Sequence, residues 1–583
     1  MPDTALNPAE IASVDCLNRV FEAMEINKNF LVEAGAGAGK TYTLIKALKK
    51  QIEKNGVLFQ KTNRKIACIT YTNVAKDEIR SRTDNNPVIF AETIHAFAWS
   101  LISDFQINLR PLISGLSENW AIRIEEIGGI GSQIVKYSLG FPKITETEIY
   151  LHHNDVISLF ISLLEDPKFQ LILTSRYPII FIDEYQDTNK KLAESFIRNF
   201  IEQKGGPLFG FFGDHWQKIY GPESIGLISA SADNLVVIGK EANFRSDRII
   251  VEALNRMRPE LIQHVKDPGS AGEITVFHTN TWNGERRADQ PWTGDLPADT
   301  AHEYLNQVKA ELGSRGWNLA PEYTKILMLT HNVLASEQGY KNILDAVGPD
   351  DLLKKNDDYV SFLINTVEPG STAFVDRRYG LMLESFKLKA PSLRTHAEKV
   401  IWSDDVSRLV ELRQTGTIGD VLDLLKHTRK PELPRRIIDK EKRLSDLLLV
   451  PEETREEADK LFVEKITKIR STPYVELTNA AAYINDKTLF STKHGVKGAE
   501  FENVLIVLGR GWNLYNWNQM LEWSVNGIPK GRQDSFERNR NLFYVACSRP
   551  KSRLALLFTQ QLSDTALAAL NGWFGNVIVP FPL

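Results

Sequence analysis

The chain has 583 residues, a formal net charge of −4 and an ordinary composition for a soluble protein, with 43% hydrophobic and 25% charged residues. This length exceeds what one hydrophobic core supports, so we expect about three to five domains. Three cysteines form no CxxC pair and no apolar run reaches bilayer length, which argues against a disulfide scaffold, a cysteine-rich zinc site and a membrane span. The N-terminus has no targeting pattern, so we expect a cytoplasmic location. The acidic total argues against a nucleic-acid partner, but a narrow basic groove can lie within it, so the local sequence must decide.

The first predicted element is a helix that begins at Pro8, with Asn7 as its cap. Its apolar residues recur at helical spacing, and those expected to share the buried face are Val14, Leu17, Phe21 and Met24. The apolar run 30–32 that follows predicts a buried strand.

A glycine-rich segment, AGAGAGKT, follows this strand and precedes the helix-like stretch 42–50. Strand, glycine turn and helix N-terminus in this order form a phosphate-binding loop, because glycines let backbone N–H groups converge on phosphate oxygens. Lys40 is expected to neutralise the β- and γ-phosphates, and Thr41 to offer its hydroxyl to Mg²⁺. The residues predicted to hold the nucleotide are Ala34, Gly35, Ala36, Gly37, Ala38, Gly39, Lys40 and Thr41.

Two carboxylates follow a second buried strand, PIIFID at 178–183. Asp183 is expected in the Mg²⁺ shell, and Glu184 is expected to orient or deprotonate the attacking water. The alternative, a solvated acidic turn, does not explain why the acids follow an apolar strand at the edge where open α/β sheets bind ligands. The pair therefore predicts hydrolysis of a nucleoside triphosphate.

Strand-like and helical segments alternate along the chain, which predicts two doubly wound parallel sheets of the α/β class. The further strands of the first set are 66–70, 208–212 and 235–238, and those of the second set are 274–278, 325–329, 488–491, 504–508 and 554–558. Two stretches, near 100–166 and 348–485, show helical periodicity without a convincing parallel strand. We expect two similar cores, each interrupted by a mainly helical insertion.

A series of motifs in order resembles the UvrD/Rep class of superfamily 1 helicases. Besides AGAGAGKT the motifs are ITYTN at 69–73, TIHAF at 93–97, FIDEYQDTN at 181–189, FGDHWQKIY at 212–220, NFRS at 243–246, STKHGVKGAEF at 491–501 and RNLFYVACSRP at 540–550. The resemblance implies two RecA-like cores that bind ATP and Mg²⁺ between them. It places the first core at 1–99 and 167–248 with a reduced insertion at 100–166, and the second at 249–347 and 486–583 with an insertion at 348–485.

The resemblance also implies roles for individual residues. Gln217 would sense the γ-phosphate, and Arg245 and Arg549 would stabilise the charge of the transition state. Phe244 would stack on adenine, and Glu500 would bind the ribose. The residues implied to contact single-stranded DNA are Thr70, Tyr71, Thr72, Asn73, His95, Phe97, Tyr220, Thr492 and His494. The family's activity implies translocation or unwinding with 3′-to-5′ polarity.

The chain departs from the family pattern at three places. Glu10 stands where the family usually has an adenine-reading glutamine, so selectivity for ATP is expected to be relaxed because a carboxylate cannot donate a hydrogen bond. Gly221 and Pro222 stand where a base-stacking tryptophan is common, and Trp216 would either replace it or pack in the core. The first insertion is also short.

Two further segments allow two interpretations each. The basic run PRRIIDKEKR at 434–443 is either a solvated helix face or a contact to duplex or phosphate. The tryptophans of GWNLYNWNQMLEW, which are Trp512, Trp517 and Trp523, either pack in the core or form a surface for a partner or DNA.

A less extensive resemblance, in FGDHWQKIYG and the short first insertion, is to the helicase subunit of Gabija-type anti-phage systems, which acts beside a separate OLD-like nuclease. The leading hypothesis is an ATP-dependent translocase on single-stranded DNA and duplex junctions, in DNA repair or defence. One rival is a subunit that senses ATP and DNA and regulates a nuclease with little or no unwinding. The other is an NTPase unrelated to nucleic acid, which absence of salt-dependent binding to single strands would favour.

Overall fold

A computed structural model gives the structure of the protein and describes residues 6–138, 142–219, 221, 223–231, 233–289, 292–328, 335, 338–387, 395–485, 488–491, 499–509 and 515–581. The chain forms two compact units. The first consists of 1–277, 514–555 and 562–579, and the second of 278–513, 556–561 and 580–583.

The first unit is built on a six-stranded parallel sheet. Its strands are β1 (Asn29–Ala34), β2 (Ile66–Thr70), β3 (Ile89–Thr93), β7 (Ile179–Asp183), β8 (Leu208–Gly213) and β9 (Leu235–Lys240), in the order β3-β2-β7-β8-β1-β9. Every residue of β2, β7 and β8 is buried, as expected for a parallel sheet that is covered on both faces. In register, Glu33 pairs with Gly213 and Asp183 with Phe212, so the carboxyl ends of β1, β7 and β8 lie side by side.

Ten helices belong to the same part of the chain, as far as the structure describes it. They are α1 (Pro8–Glu25), α2 (Lys40–Lys61), α3 (Asn73–Arg82), α4 (Ile94–Ile102), α5 (Gln106–Ile113), α6 (Glu118–Glu126), α7 (His153–Leu164), α8 (Pro167–Arg176), α9 (Lys190–Phe196) and α10 (Arg248–Met257). Among them α1, α2, α3 and α4 contact strands of this sheet. The predicted cap of α1 is confirmed, since Asn7 and Glu10 form a capping box. The predicted buried face is confirmed at Met24 and is wrong at Val14, which is exposed. Leu17 and Phe21 are half-buried, and the helix also buries Ser13, Cys16, Val20 and Ala23.

A small sheet lies in the stretch from 100 to 166, for which the sequence predicted a mainly helical insertion without a convincing parallel strand. It consists of β4 (Ile134–Tyr137), β5 (Lys143–Ile144) and β6 (Glu148–Leu151), in the order β4-β6-β5, and β4 pairs with β6 in parallel. These strands escaped prediction because they are two to four residues long and bury only Val135, Ile149 and Leu151. The stretch as a whole remains mainly helical.

The remaining strands are β10 (Ala242–Asn243), β11 (His264–Val265), β12 (Glu273–His278), β13 (Thr324–Met328), β14 (Phe490–Ser491), β15 (Phe501–Leu508), β16 (Pro550–Phe558) and β17 (Ile578–Pro580). β10 pairs with β11 in a two-stranded sheet, and the others form a second six-stranded sheet in the order β14-β13-β15-β16-β12-β17. Within it β13 pairs in parallel with β14 and β15. A mixed α/β class with parallel sheets is therefore confirmed.

The second unit contains a long helical stretch. The helices after α10 are α11 (Ala298–Ser314), α12 (Lys341–Val347), α13 (Pro349–Leu353), α14 (Asp358–Phe362), α15 (Glu368–Val375), α16 (Tyr379–Ser385), α17 (His396–Thr415), α18 (Ile418–Thr428), α19 (Arg435–Leu448), α20 (Glu457–Ser471) and α21 (Tyr474–Ile484). The chain then returns to the first unit, where it forms α22 (Trp517–Asn526), α23 (Gln533–Cys547) and α24 (Asp564–Phe574). No helix in the part of the chain that the structure describes is long and apolar enough to span a membrane.

The three cysteines are all free and completely buried, in α1, β2 and α23. Burial raises the pKa of the Cys16 thiol to about 11, and it raises the pKa of Cys68 and Cys547 well above the ordinary range. These thiols are therefore protonated and shielded at neutral pH.

Candidate active site

The loop 34–39 joins β1 to α2, and residues of the segment 243–263 hold it in place by hydrogen bonds to its backbone. Gly37 and Gly39 both have φ of +73°, a conformation that side chains disfavour. The side chains of Asn243 and Gln263 both donate hydrogen bonds to the carbonyl of Ala36, at 3.1 Å, and the N–H of Phe244 donates to the carbonyl of Gly37 at 2.9 Å. The segment NFRS is thus attached directly to the phosphate-binding loop.

Glycine is required in this loop for packing as well as conformation. A Cβ on Gly35 would lie 2.7 Å from the amide nitrogen of Gln263, and one on Gly37 would lie 2.8 Å from the Cβ of Arg245. Contacts this short would force the buttressing side chains to move. The loop is therefore held in a fixed shape directly before the N-terminus of α2, where helices bind anions.

Lys40 lies between the two predicted catalytic carboxylates. Its Nζ is 2.5 Å from Oε1 of Glu184 and 3.5 Å from Oδ1 of Asp183. Burial disfavours the ammonium, but Glu184 and Asp183 outweigh this effect and raise the pKa of Lys40. Burial also raises the pKa of Asp183, against the opposing charge of Lys40. The start of α2 and the end of β7 therefore meet at one charged site.

The donors at this site suit Mg²⁺. Thr41 contributes a hydroxyl from the first turn of α2, and Asp183 contributes a carboxylate from the end of β7. Both are hard oxygen ligands, which Mg²⁺ prefers in company with phosphate oxygens. Since Lys40 reaches Asp183 across the same gap, the two segments are close enough to share one ion with a triphosphate.

Gln186 connects Glu184 to the next strand. It is completely buried, its Nε2 donates to Oε2 of Glu184 at 2.6 Å, and its Oε1 accepts from the N–H of Asp214 at 3.1 Å. Glu184 itself has φ of 51°, an uncommon conformation for a residue other than glycine. Hydrogen bonding and local backbone geometry together fix the direction of the Glu184 carboxylate.

The segment GDHWQ after β8 is tied to a group of buried charges. Asp214 accepts from the N–H of Trp216 at 3.0 Å and from Nε2 of Gln217 at 2.9 Å. Arg258, 1% exposed, donates to Asp214 at 2.7 Å and to Glu33 at 2.6 Å. Burial opposes ionisation of Glu33, but its contacts with His215 and Arg258 lower its pKa to about 2. Glu33 is therefore held in the ionised form, whereas burial raises the pKa of Asp214 against the opposing charge of Arg258.

Trp216 packs inside this group. It is 6% exposed, and the guanidinium carbons of Arg540 and Arg258 lie 3.9 and 5.3 Å from its ring centroid. Its ring also meets that of Tyr544 at 5.2 Å, edge to face. Of the two interpretations of Trp216, the structure supports packing.

Arg245 and Arg549 lie in the same compact unit as Lys40. Arg245 donates to the carbonyl of Ser548 at 3.0 Å, and Arg549 is 1% exposed and donates to the carbonyl of Val545 at 2.9 Å. Burial and the charge of Arg245 lower the pKa of Arg549 to about 9, while Glu184 opposes this shift. Two guanidinium groups that repel one another form a site that favours an anion with several charged oxygens.

The predicted base-stacking residue lies beside the loop. Phe244 is 37% exposed, and its ring lies 3.7 Å from the position of a Cβ on Gly39, next to the start of α2. Glu10 is occupied elsewhere, since its carboxylate accepts from the N–H of Asn7 at 3.0 Å in the cap of α1. Glu500 is an exposed residue of the second unit.

The residues predicted to contact DNA occupy different environments. Thr70 and Phe97 are completely buried, and Phe97 packs against Phe90, Phe160 and Tyr177. Tyr71 is half-buried, whereas Thr72 and Asn73 are exposed where α3 begins. Tyr220, Thr492, His494 and Trp512 lie outside the described residues. Phe97 offers no ring face to a base in this structure.

His95 is partly buried against a second histidine. Its ring stacks on that of His153 with centroids 3.5 Å apart, and His153 is hydrogen-bonded to Tyr137. Burial, followed by the charges of His153 and His152, lowers the pKa of His95 to about 4. His95 is therefore neutral at physiological pH.

Two sequence segments allowed two interpretations each: the basic run in α19, either a solvated face or a nucleic-acid contact, and the tryptophans, either core residues or a binding surface. Arg435 and Arg436 of the basic run have side chains 89% and 84% exposed, with Asp439 and Asp358 nearby at 3.4 and 3.6 Å. Trp517 is completely buried and packs beside Phe543, so its role is packing.

Sequence reasoning missed the residues that support the predicted ones. These are Glu33, Gln186, Asp214, Arg258 and Gln263. Glu33 carried a signal, since a charged residue inside the otherwise apolar strand FLVEA requires a buried partner. Arg258 and Gln263 lie in no motif and follow α10 in an irregular stretch, so pattern alone could not identify them.

Comparisons with known proteins identify a family and two similar proteins. Residues 172–561, more than half of the chain, match the model of the UvrD-like helicase C-terminal domain, and residues 19–223 match that of an AAA domain. The chain is 23% identical to the Gabija protein GajB of Bacillus cereus strain HuB5-5, over 96% of this chain and 97% of that protein. It is 29% identical to the Gabija protein GajB of Bacillus cereus strain VD045 over 35% of this chain and 42% of that protein.

Proposed function

Because the chain belongs to the UvrD-like helicase family, an ATP-dependent class of enzyme, we propose that it hydrolyses ATP with Mg²⁺ to move along single-stranded DNA. Its substrates would be single strands and duplexes with single-stranded ends, and the polarity would be 3′-to-5′. The observation that carries the proposal is the meeting of Lys40, Asp183 and Glu184 at the end of the first sheet, with Arg549 in the electrostatic range of Glu184.

The side chains divide the hydrolytic reaction between them. Lys40 would exchange its contact with Glu184 for a phosphate oxygen, which leaves the Glu184 carboxylate able to orient water or accept its proton. Arg245 and Arg549 would stabilise charge on the γ-phosphate as the bond to the β-phosphate breaks. Thr41 and Asp183 would hold Mg²⁺, which would offset phosphate charge when bound. Phe244 would stack on the adenine.

The DNA contacts that we propose are the exposed ones. Thr72 and Asn73 lie at the N-terminus of α3, a ten-residue helix whose first N–H groups attract phosphate. They follow β2 in the same sheet as β7, so a strand bound there would contact the loop next to the nucleotide carboxylates. Within each of the two cores we propose the division into core and insertion that the motif order implies.

Anti-phage defence is the biological role that we propose. The support is similarity along nearly the whole chain to a protein named Gabija protein GajB. A separate OLD-like nuclease would then be the partner of this chain. Co-expression with such a nuclease followed by affinity capture tests the partnership, and a protein that stays alone at micromolar concentration would contradict it.

Hydrolysis stimulated by DNA is the central test. Phosphate release is measured with and without a single-stranded oligonucleotide, for the wild type and for Lys40→Ala. We expect stimulation in the wild type that falls with added salt, and no release by the variant. Streptavidin displacement from either end of a biotinylated strand gives polarity. Wild-type hydrolysis that single strands leave unchanged would contradict the motor.

A second candidate is a regulatory subunit that binds ATP and DNA but unwinds little. The complete burial of Phe97, and Gly221 in place of a base-stacking residue, favour this reading. Glu184→Gln separates the candidates, since it should retain ATP binding and lose turnover. If this variant fully activates the nuclease partner, ATP binding is the signal and hydrolysis is dispensable.

A further inference from the structure

Arg258 is placed where three nucleotide-contacting segments converge. It follows α10, is 1% exposed, and bridges Glu33 at the end of β1 to Asp214 at the end of β8. Its guanidinium carbon also lies 5.9 Å from the ring centroid of Tyr544, on the helix that leads to Arg549. A buried arginine with two carboxylates costs desolvation energy, so its position requires an explanation beyond packing.

Asp214 connects Arg258 to two further side chains, Gln217 and Gln186. Its Oδ1 accepts from Arg258, and its Oδ2 accepts from Nε2 of Gln217 at 2.9 Å. Its backbone N–H donates to Gln186, whose amide nitrogen holds Glu184. Asp214 therefore links Arg258 to both the predicted γ-phosphate sensor and the predicted general base.

The orientation of the Gln217 amide follows from this geometry. A carboxylate that pairs with arginine only accepts hydrogen bonds, so the Gln217 atom that faces Asp214 must be nitrogen. One N–H of the amide is fixed by Asp214, which leaves the second N–H and Oε1 for phosphate and water. Without Asp214 in place, the amide could rotate and present either atom.

A metal ion is the competing occupant of this cluster. Glu33, Asp214 and His215 have ligand atoms within 4.8 Å of one another and could hold one. Arg258 already places positive charge on both carboxylates at hydrogen-bond distance. Its charge and that of His215 also lower the pKa of Glu33, against burial. The cluster is therefore satisfied by arginine.

We propose that Arg258 is a positioning residue for nucleotide hydrolysis, and that it acts through Asp214 to orient the side-chain amide of Gln217 toward the γ-phosphate. The inference rests on the proposed role of Gln217 in hydrolysis. The relay, which is the series of contacts from Arg258 through Asp214 to Gln217, does not require DNA, because each of these contacts lies within the first unit. The relay predicts that Arg258 affects kcat more than the KM for ATP, since Gln217 acts on the transition state while Lys40 and the glycine loop bind the ground state.

A double-mutant cycle between Arg258→Lys and Gln217→Ala tests the relay, with basal ATP hydrolysis as the readout. Lysine keeps the charge but cannot bridge both carboxylates. We expect Arg258→Lys to lower kcat by about tenfold with the KM within about threefold, and to have no further effect when Gln217 is already alanine. Multiplicative effects on kcat, or an unchanged kcat in Arg258→Lys, would overturn the proposal.

Arg413→Lys is the matched control. Arg413 makes a bidentate pair with Glu368, at 2.6 and 2.7 Å, in the second unit, and both side chains are only 11% exposed. Both arginine variants should lower the thermal unfolding midpoint, but only Arg258→Lys should lower kcat. A similar fall in kcat for both would assign the effect to stability and overturn the inference.

Asp214→Asn provides a second cycle in case Arg258→Lys does not fold. Asparagine preserves the shape but can turn an N–H toward Gln217, so kcat should fall and the fall should again disappear when Gln217 is alanine. Independent effects in this cycle would overturn the relay as well. Coupled cycles with hydrolysis that DNA does not stimulate would leave the relay intact and contradict only the motor.

Discussion

The segments that we propose to bind the nucleotide (the nucleotide side, after β1, β7 and β8) and those that we propose to bind DNA (the DNA side, after β2 and β3) all follow parallel strands of the first sheet. They differ in the surroundings of their motif residues. After β1, β7 and β8 the motif residues face one another, as Lys40 does with Asp183 and Glu184. After β2 and β3 the motif aromatic Phe97 is completely buried, and His95 stacks on another histidine.

This difference follows from what each ligand requires. A triphosphate with its metal needs several charges at fixed distances, so the residues that bind it must be held by buried partners such as Asp214 and Gln186. A single strand is held by backbone dipoles and scattered contacts, which tolerate replacement of one aromatic platform. A motif therefore specifies side-chain chemistry on the nucleotide side, but mainly backbone position on the DNA side.

The largest effect is expected at Arg549. Arg549→Lys should lower kcat for ATP on the order of 10³-fold, because lysine cannot reproduce the forked contact to the γ-phosphate. Steady-state phosphate release measures kcat, and a fluorescent ATP analogue measures binding, which should change little. Arg553→Lys, in the strand β16 that follows Arg549, is the control, since that side chain is 34% exposed. Equal losses of kcat in both variants would contradict the proposed contact of Arg549 with the γ-phosphate.

Glu184→Gln should lower kcat by about 10²- to 10³-fold, since an amide cannot accept the proton of water. The glutamine can still accept from Gln186, so the fold and ATP binding should persist. Single-turnover hydrolysis and equilibrium binding separate the two steps. Glu194→Gln, at an exposed position of α9, should behave as the wild type. Loss of ATP binding in Glu184→Gln would show that this carboxylate binds the ground state.

Phe97 and Asn73 test the DNA side as a pair. Phe97→Ala should destabilise the protein by about 3 kcal/mol, because it opens a cavity among aromatic rings. The affinity of its folded fraction for single strands should remain within about twofold, because a buried ring makes no base contact. Urea unfolding and fluorescence anisotropy measure the two quantities.

Asn73→Ala should show the converse result. Its affinity for single strands should fall by about fivefold, or about 1 kcal/mol, with unchanged stability, because the residue is exposed at the start of α3. If Phe97→Ala instead weakened DNA binding without destabilising the fold, the contrast between the two sides of the sheet would be broken.

The smallest effect concerns pH and His95. Burial lowers the pKa of His95 to about 4 from an ordinary value of 6.5, so in that interval the unfolded chain binds the proton more tightly. Wild-type stability should therefore fall as the pH drops from about 6.5 to about 4. His95→Gln should show a shallower fall, measured as the thermal midpoint at each pH. Parallel curves for the two proteins would contradict the buried stack.

The sequence alone was sufficient to predict the buried strands and the charged motifs. It did not predict the buried residues that hold the motif side chains in place. The predicted segment 66–70 coincides with β2, and the acids follow β7 as expected, because apolar runs in parallel sheets leave a strong pattern. The half-buried β3 and the short strands β4 to β6 leave a weak one. The buried face of α1 was predicted correctly at Met24 but not at Val14, because the polar Ser13 is buried there instead and accepts a hydrogen bond from Lys240.

The same limit applies to the candidate site. Lys40, Asp183 and Glu184 could be placed from the sequence because their chemistry is tied to fixed positions after strands. Arg258 could not, because its partners Glu33 and Asp214 are more than forty residues away along the chain and no local pattern joins them. Long-range pairing of buried charge is a property of the tertiary structure.

The three hidden thiols make the natural chain a convenient background for spectroscopic work. Since Cys16, Cys68 and Cys547 are shielded, a maleimide dye should react first with a cysteine introduced at an exposed site, which permits distance measurements on an otherwise unaltered protein. Slow labelling of the native thiols then reports transient opening of three separate places, of which Cys547 lies two residues before Arg549. Comparing those labelling rates with and without nucleotide would reveal which part of the first unit opens less often when nucleotide is bound.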